Sequence, residues 1–312
     1  MGEKNAIRDA YGAALEELGR VNEKVVGLEA DVASSTKSGI FGKTFPDRYF
    51  NVGISEINMV SMSAGFAREG WIPYVNTFAS FLTTRGADPI QSLIAYDKLN
   101  VKLCGTYCGL SDSYDGASHQ AITDVAFVRS IPNMTVIAVS DAVETKKAVF
   151  AAAETKGPVY LRLSRAAAPV YYKEDMEFEI GKGIVAKDGQ DVTIIAAGTV
   201  FHKALEAAKL LEEEGVSAAV VDMHTIKPID SELIQKYAKS TGAIVTVEEH
   251  SIYGGLGSAV AEVLAETCPV PMERIGATDF AESGDYEELL EKYGYSPAVI
   301  AQVCRRAIGR KN

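Results

Sequence analysis

From Val25 onward, short apolar runs alternate with segments whose apolar residues recur every three or four positions. This alternation restricts the fold more than any other property of the chain. Strands separated by helices cannot close as tight hairpins, so each connection crosses back over the sheet and the next strand lies parallel to the last. Such sheets are covered on both faces, and their strands read as nearly continuous apolar runs. The runs VVGLEAD (25–31), YFNVG (49–53), IPYVNTF (72–78), VKLCGT (101–106), TVIAVS (135–140) and VYLRL (159–163) fit that description. From Pro169 to about Gln190 the helical period is lost in YYKEDMEFE and scattered glycines. A second series then begins at DVTIIAAG (191–198) and continues through a helix near 201–215, SAAVVDM (217–223), AIVTVEE (243–249), a helix after GGLG (254–257) and two helices from about 285. The expected architecture is α/β with two domains, residues 1–175 and 190–312, joined by a linker at about 169–190.

At 312 residues with 47% apolar content, the chain can bury two such cores. A net charge of −11 and the lack of a basic stripe argue against a nucleic-acid partner. The N-terminal MGEKNAIRDAYGAALEELG is charged and helix-patterned, and no apolar run is as long as a membrane span, which predicts a cytoplasmic protein. Cys104, Cys108, Cys268 and Cys304 fit neither a disulfide framework nor a zinc pattern, so reduced thiols are expected.

In open α/β sheets, reactive side chains gather in the crevice beyond the carboxyl ends of the strands. The residues at those positions are Asp31 with Ser34 and Ser35, Glu56, Phe78 with Phe81, the segment TYCGLSDSYDGASHQ (106–120), Asp141 and Arg165. No glycine-rich phosphate loop follows the first strand, and no Gly-x-Ser-x-Gly elbow occurs. Taken alone, Glu56 reads as an acid at a helix start, favoured by the helix dipole. Phe78 and Phe81, at helical spacing, read as core.

Four segments in fixed order change that reading: FPDRYFNVGISEINMVSMSAGFAREGWIPYVNTFASF, DGASHQAITDVAFVRSIPNMTVIAVSDAVE, GPVYLRLSR and EEHSIYGGLGSAVAE. Together they resemble the C-terminal half of a transketolase, from about Arg8 to the end of the chain. The resemblance implies a pyrimidine-binding domain followed by a transketolase C-terminal domain. The diphosphate-binding domain of the family has no counterpart here, which implies one subunit of a split enzyme. A separate diphosphate-binding chain would complete the cofactor site, in a heterotetramer of two plus two. The implied cofactor is thiamine diphosphate with Mg2+, whose protein ligands would lie on the partner; no metal ligand is expected on this chain.

By position in the family motifs, Glu56 is the acid that hydrogen-bonds the pyrimidine ring nitrogen. An apolar setting from Ile57, Met59 and Val60 would support its keeping a proton to donate. Phe78 and Phe81 match the aromatic pair on the pyrimidine, and Asp31 is counted with the cofactor-binding set. His119 matches a histidine near the oxygens of the donor sugar, where an imidazole can donate or take a proton. Asp115 matches a residue that reads the donor's second hydroxyl. Arg165, Arg8 and Ser35 match positions that grip a terminal phosphate, a task suited to a guanidinium fork. His202, His224 and His250 are assigned to structure.

The departures bear on substrate. Tyr107 stands where the family has a phosphate-contacting histidine, Ser113-Tyr114 replaces a Gly-Glu pair, and Thr84 replaces an aromatic. The expectation is transfer of a two-carbon ketol unit from a ketose to an aldose, with an unusual anionic sugar, such as a branched, deoxy or sulfonated one, among the substrates. The same architecture is similar to 1-deoxyxylulose 5-phosphate synthase and to the beta subunit of 2-oxo acid dehydrogenases. A non-catalytic sugar-phosphate-binding subunit is a further alternative, opposed by the presence of Glu56 together with His119 and Asp115.

Overall fold

The structure, a computed structural model, describes residues 4–311. The first three residues of the expected 1–175 domain and the last of the 190–312 domain lie outside the described residues. Up to Pro169 the strands are β1 (Lys4–Ala6), β2 (Val25–Glu29), β3 (Tyr49–Asn51), β4 (Ile72–Phe78), β5 (Lys102–Thr106), β6 (Thr135–Ala138), β7 (Val159–Leu163) and β8 (Ala167–Pro169). Beyond it they are β9 (Ile184–Lys187), β10 (Val192–Ala197), β11 (Ala218–Asp222), β12 (Thr225–Lys227), β13 (Ile244–Ser251) and β14 (Met272–Ala277). Seven strands form one sheet in the order β12-β6-β7-β5-β4-β2-β3, five form a second in the order β14-β13-β10-β11-β9, and β1 pairs with β8. Every pair in the large sheet is parallel except β12 with β6, and in the second only β9 with β11 is antiparallel. The mainly parallel α/β architecture is the one the alternation predicts.

Helices cover both faces because the apolar runs leave neither face fit for water. Helix Ile7–Val21 packs against helix Ala142–Glu154, burying Ile7, Tyr11 and Leu15 with Val149 and Ala152. The opposite face is sealed by Met59, Val60, Leu82 and Ile94, and that core runs on without a break to Ile195 and Ala219 of the second sheet and Leu256 of helix Leu256–Thr267. Each such aliphatic side chain contributes about 1.5–3 kcal/mol when fully buried. The register places Phe78 opposite Thr106 and Thr106 opposite Leu163, so the residues that follow β4, β5 and β7 emerge together on one edge.

Five strands were not anticipated by the apolar pattern: β1 and β8, three residues each, pair only with one another, and three more lie within the two larger sheets. β9 and β14 are edge strands with partly exposed residues, and β12 is only three residues long. β12 leaves the second series to complete the first sheet, where Thr225 lies opposite Ile137 and Ala138 N–H donates to the His224 carbonyl at 2.8 Å. Residues 170–183, where the helical period is lost, contain neither helix nor strand. Among the described residues no helix is long and apolar enough to cross a membrane, and all four cysteines are free thiols.

Candidate active site

Five strands deliver the sequence-singled residues to the carboxyl edge of the large sheet. Arg165 follows β7, Tyr107 follows β5, Phe78 ends β4, Asp31 and Ser35 follow β2, and Glu56 follows β3. Gly53, at φ +76°, lets the chain turn from β3 toward helix Glu56–Arg68. Asn51 Oδ1 fixes that turn by accepting from the N–H groups of Gly53 at 3.0 Å and Asp31 at 3.1 Å. Glu56 thereby opens the helix and is buried, with 5% of its side chain exposed.

The carboxylate does not meet the apolar setting expected of it. Met59 and Val60 point into the core, Ile57 is 58% exposed, and Glu56 Oε1 accepts from Arg85 Nη1 at 2.5 Å. The helical period explains the correction, because Ile57 lies one residue round the helix from the buried face. Arg85 in turn stands over the Phe81 ring, its guanidinium carbon 4.0 Å from the ring centroid. Arg85 was not among the residues singled out. Its i, i+4 spacing from Phe81 on helix Ala79–Arg85 signals the ring contact, but no local signal links it to Glu56.

Phe81, Phe78, His119 and Tyr107 form one aromatic group. Phe78 and Phe81 have ring centroids 5.8 Å apart, His119 stands edge-on to Phe81 at 4.9 Å, and Tyr107 stacks on Phe78 at 4.3 Å. Arg8 and Arg165 flank Tyr107, with guanidinium carbons 5.6 and 5.4 Å from its centroid, and Arg8 Nη1 donates to its hydroxyl. Arg8 Nε is buried without a hydrogen-bond partner. Two guanidinium groups bracketing a phenol make a donor-rich, cationic corner that suits an anionic group. His119 is the one histidine of the four that is not buried, and its Nδ1 lies 2.9 Å from Ser118 Oγ.

The 106–120 segment is held from the second sheet. Glu249 Oε1 accepts from Leu110 N–H at 2.5 Å and Oε2 from the Tyr286 hydroxyl at 2.7 Å. Gly109, at φ +61°, is where that carboxylate approaches too closely to leave room for a side chain. Arg165 Nη1 donates to the Asp112 carbonyl at 3.2 Å. The Asp112 carboxyl is buried with neither oxygen hydrogen-bonded, and burial and neighbouring Asp115 push it up to about 7. Asp115 itself is exposed, as are Tyr114 and Thr84, whose hydroxyl bonds back to the Ser80 carbonyl at 2.6 Å. Asp31 is exposed at φ +64° with its carboxylate on Asn51, and Ser35 is half-buried in the short helix Ala33–Thr36. Asp141 serves structure: Oδ1 caps helix Ala142–Glu154, and Oδ2 accepts from the N–H groups of Tyr171 and Tyr172 at 2.8 Å.

Residues 3–170 match the transketolase pyrimidine-binding domain, and residues 181–300 match the transketolase C-terminal domain. The chain belongs to the transketolase family. It is 46% identical over 305 residues to a Methanocaldococcus jannaschii protein described as a transketolase C-terminal section, with 96% of each chain covered. It is 38% identical over 311 residues to the 6-deoxy-6-sulfo-D-fructose transketolase subunit SqwH of Clostridium sp. strain MSTE9, covering 99% of this chain and 97% of that one. A solved structure described as a split gene transketolase, an inactive beta4 tetramer, is 48% identical, with a TM-score of 0.93 over 98% of this chain and 99% of the other. The chain spans about half the length of the human and rat transketolases it matches.

The residues at the edge fit the pyrimidine end of thiamine diphosphate. A flat nitrogen base needs an aromatic face and a carboxylate at its rim, and Phe81 and Glu56 already hold a flat nitrogen cation in that way.

Proposed function

We propose that this chain is the pyrimidine-binding subunit of a two-chain, thiamine diphosphate-dependent transketolase, a cytoplasmic transferase that moves a two-carbon ketol unit from a ketose to an aldose. Residues 1–175 carry the pyrimidine half of the site and residues 190–312 buttress it. A separate diphosphate-binding subunit supplies the Mg2+ ligands, in a heterotetramer of two plus two. The observation that carries this reading is the buried Glu56 carboxylate beside the face of Phe81, at the carboxyl edge of a parallel sheet. The match to a relative described as a transketolase C-terminal section, over 96% of each chain, supports a split enzyme. So does the beta tetramer of the split-gene relative, whose description calls it inactive.

When bound, the cofactor supplies the electron sink for cleaving the bond beside a ketose carbonyl. Glu56 would hold the pyrimidine by a hydrogen bond to a ring nitrogen and Phe78 and Phe81 would hold its aromatic face, with Asp31 counted in the same cofactor-binding set. His119 passes a proton to or from a sugar oxygen, and Asp115 reads the second hydroxyl. Arg165, Arg8 and Ser35 receive the anionic end of the sugar, with Tyr107 between the two arginines setting its shape. Tyr107 in place of a histidine favours a sugar whose anion differs from an ordinary phosphate ester, and the sulfofructose-directed relative supports that breadth. The test is ketol transfer from hydroxypyruvate by the two-chain complex. Glu56→Ala is expected to reduce transfer on the order of 10²–10⁴-fold without loss of fold. Transfer at the wild-type rate by this variant, or decarboxylation of pyruvate with no transfer, would overturn the reading.

A further inference from the structure

Arg85 ends the helix that carries Phe81 and reaches across to the first residue of helix Glu56–Arg68. Its side chain is 46% exposed while that of Glu56 is 5% exposed, so the pair has one end in solvent. The guanidinium is planar and cationic, donates from Nη1 to Glu56 Oε1 at 2.5 Å, and lies 4.0 Å from the Phe81 centroid. Those are the contacts that the functional reading assigns to the pyrimidine of the cofactor: a carboxylate hydrogen bond at the edge and an aromatic ring on the face. The Phe81 face that Arg85 covers cannot at the same time take the pyrimidine ring. Beside Arg85 opens a cavity of about 270 Å3, lined by Thr84, Ser118, Thr123 and Phe280, into which the side chain can move.

We propose that Arg85 is an internal placeholder for the pyrimidine, holding Glu56 and covering Phe81 until the cofactor is seated and then swinging aside. The inference rests on the cofactor reading above and adds a competitor built into the same site. Without the placeholder, the subunit would carry a nearly buried carboxylate with no partner, which costs folding a modest desolvation penalty. With it, the cofactor competes against a tethered cation, and its apparent affinity falls by the fraction of time the site stands open.

The test is calorimetric titration of thiamine diphosphate with Mg2+ into the two-chain complex, comparing wild type, Arg85→Ala, Glu56→Gln and the double variant. Circular dichroism on each variant confirms that it is folded. Arg85→Ala is expected to tighten binding roughly tenfold, as removal of an internal competitor requires. The gain should vanish in the Glu56→Gln background, where Arg85 has no carboxylate to hold. Unchanged or weaker binding by Arg85→Ala, with the wild type binding normally, would overturn the placeholder and leave the cofactor reading intact. Binding by Arg85→Ala alone would support the placeholder in its strongest form. Failure of every complex to bind would remove the cofactor reading and the placeholder together.

Discussion

Arg162–Asp124 and Arg85–Glu56 join the same two functional groups at different depths. Arg162 and Asp124 are 4% and 0% exposed, and the fork is fully used: Nε donates to Oδ2 at 2.8 Å and Nη2 to Oδ1 at 3.2 Å. Nη2 also donates to the carbonyls of Ala121 and Glu249, and the Tyr160 hydroxyl donates to Asp124 Oδ2. Burial would raise the Asp124 carboxyl, but Arg162 and His250 overcome it and hold the group below the usual carboxylate range. At Arg85 only one nitrogen bonds Glu56, and nearly half of the arginine faces water. Depth therefore separates a pair that fastens β7 to the second sheet from a pair that can open.

Breaking the deep pair should have the largest effect. Arg162→Ala leaves Asp124 buried and unpaired, and unfolding in urea should show a loss of about 3–5 kcal/mol. A loss below about 1 kcal/mol would place it with exposed pairs and erase the contrast.

Glu249 sharpens the comparison, because it is buried at the same junction but held by hydrogen bonds in place of a bidentate arginine. Burial pushes its carboxyl up to about 7, against the hydrogen bond from Tyr286 and the nearby Arg162. The folded chain then keeps a proton that the unfolded chain releases from about pH 4.5, so this group's contribution to stability falls as pH rises toward 7 and is level above it. Glu249→Gln has no such proton to lose. Its melting temperature relative to wild type should climb between pH 5 and pH 8, and parallel curves would refute the assignment.

The smallest effect belongs to the shallow pair. Arg85→Ala, measured by thermal unfolding without cofactor, should cost about 1–2 kcal/mol, because Glu56 stays nearly buried without its donor while close to half of the lost arginine lay in water. A loss of several kcal/mol would make Arg85 a fastening like Arg162.

The same depth governs what could be read from the chain. IPYVNTF and VYLRL appear as β4 and β7 residue for residue, because strands buried on both faces leave continuous apolar runs. Arg162 interrupts one of those runs, and its partner lies 38 residues earlier, so its role appears only once β7 and helix Asp124–Ser130 are packed. Glu56, Phe78, Phe81 and Tyr107 could be placed by strand ends alone, since a parallel sheet sends them all to one edge. The bond from Arg85 to Glu56 spans 29 residues and two helices, with no periodicity to announce it. β12 escaped notice for a related reason: three residues carry little pattern, and their partner β6 lies far back in the chain.

That β12–β6 pairing has a consequence for synthesis. β6 and β7 emerge from the ribosome well before Lys227, and until β12 arrives β6 is a bare sheet edge with unpaired N–H and C=O groups. At roughly 5–20 residues per second the nascent chain carries that edge for several seconds. The first sheet therefore depends on the ribosome finishing part of the second, and a messenger cut short near residue 190 would release a chain with a sticky flank.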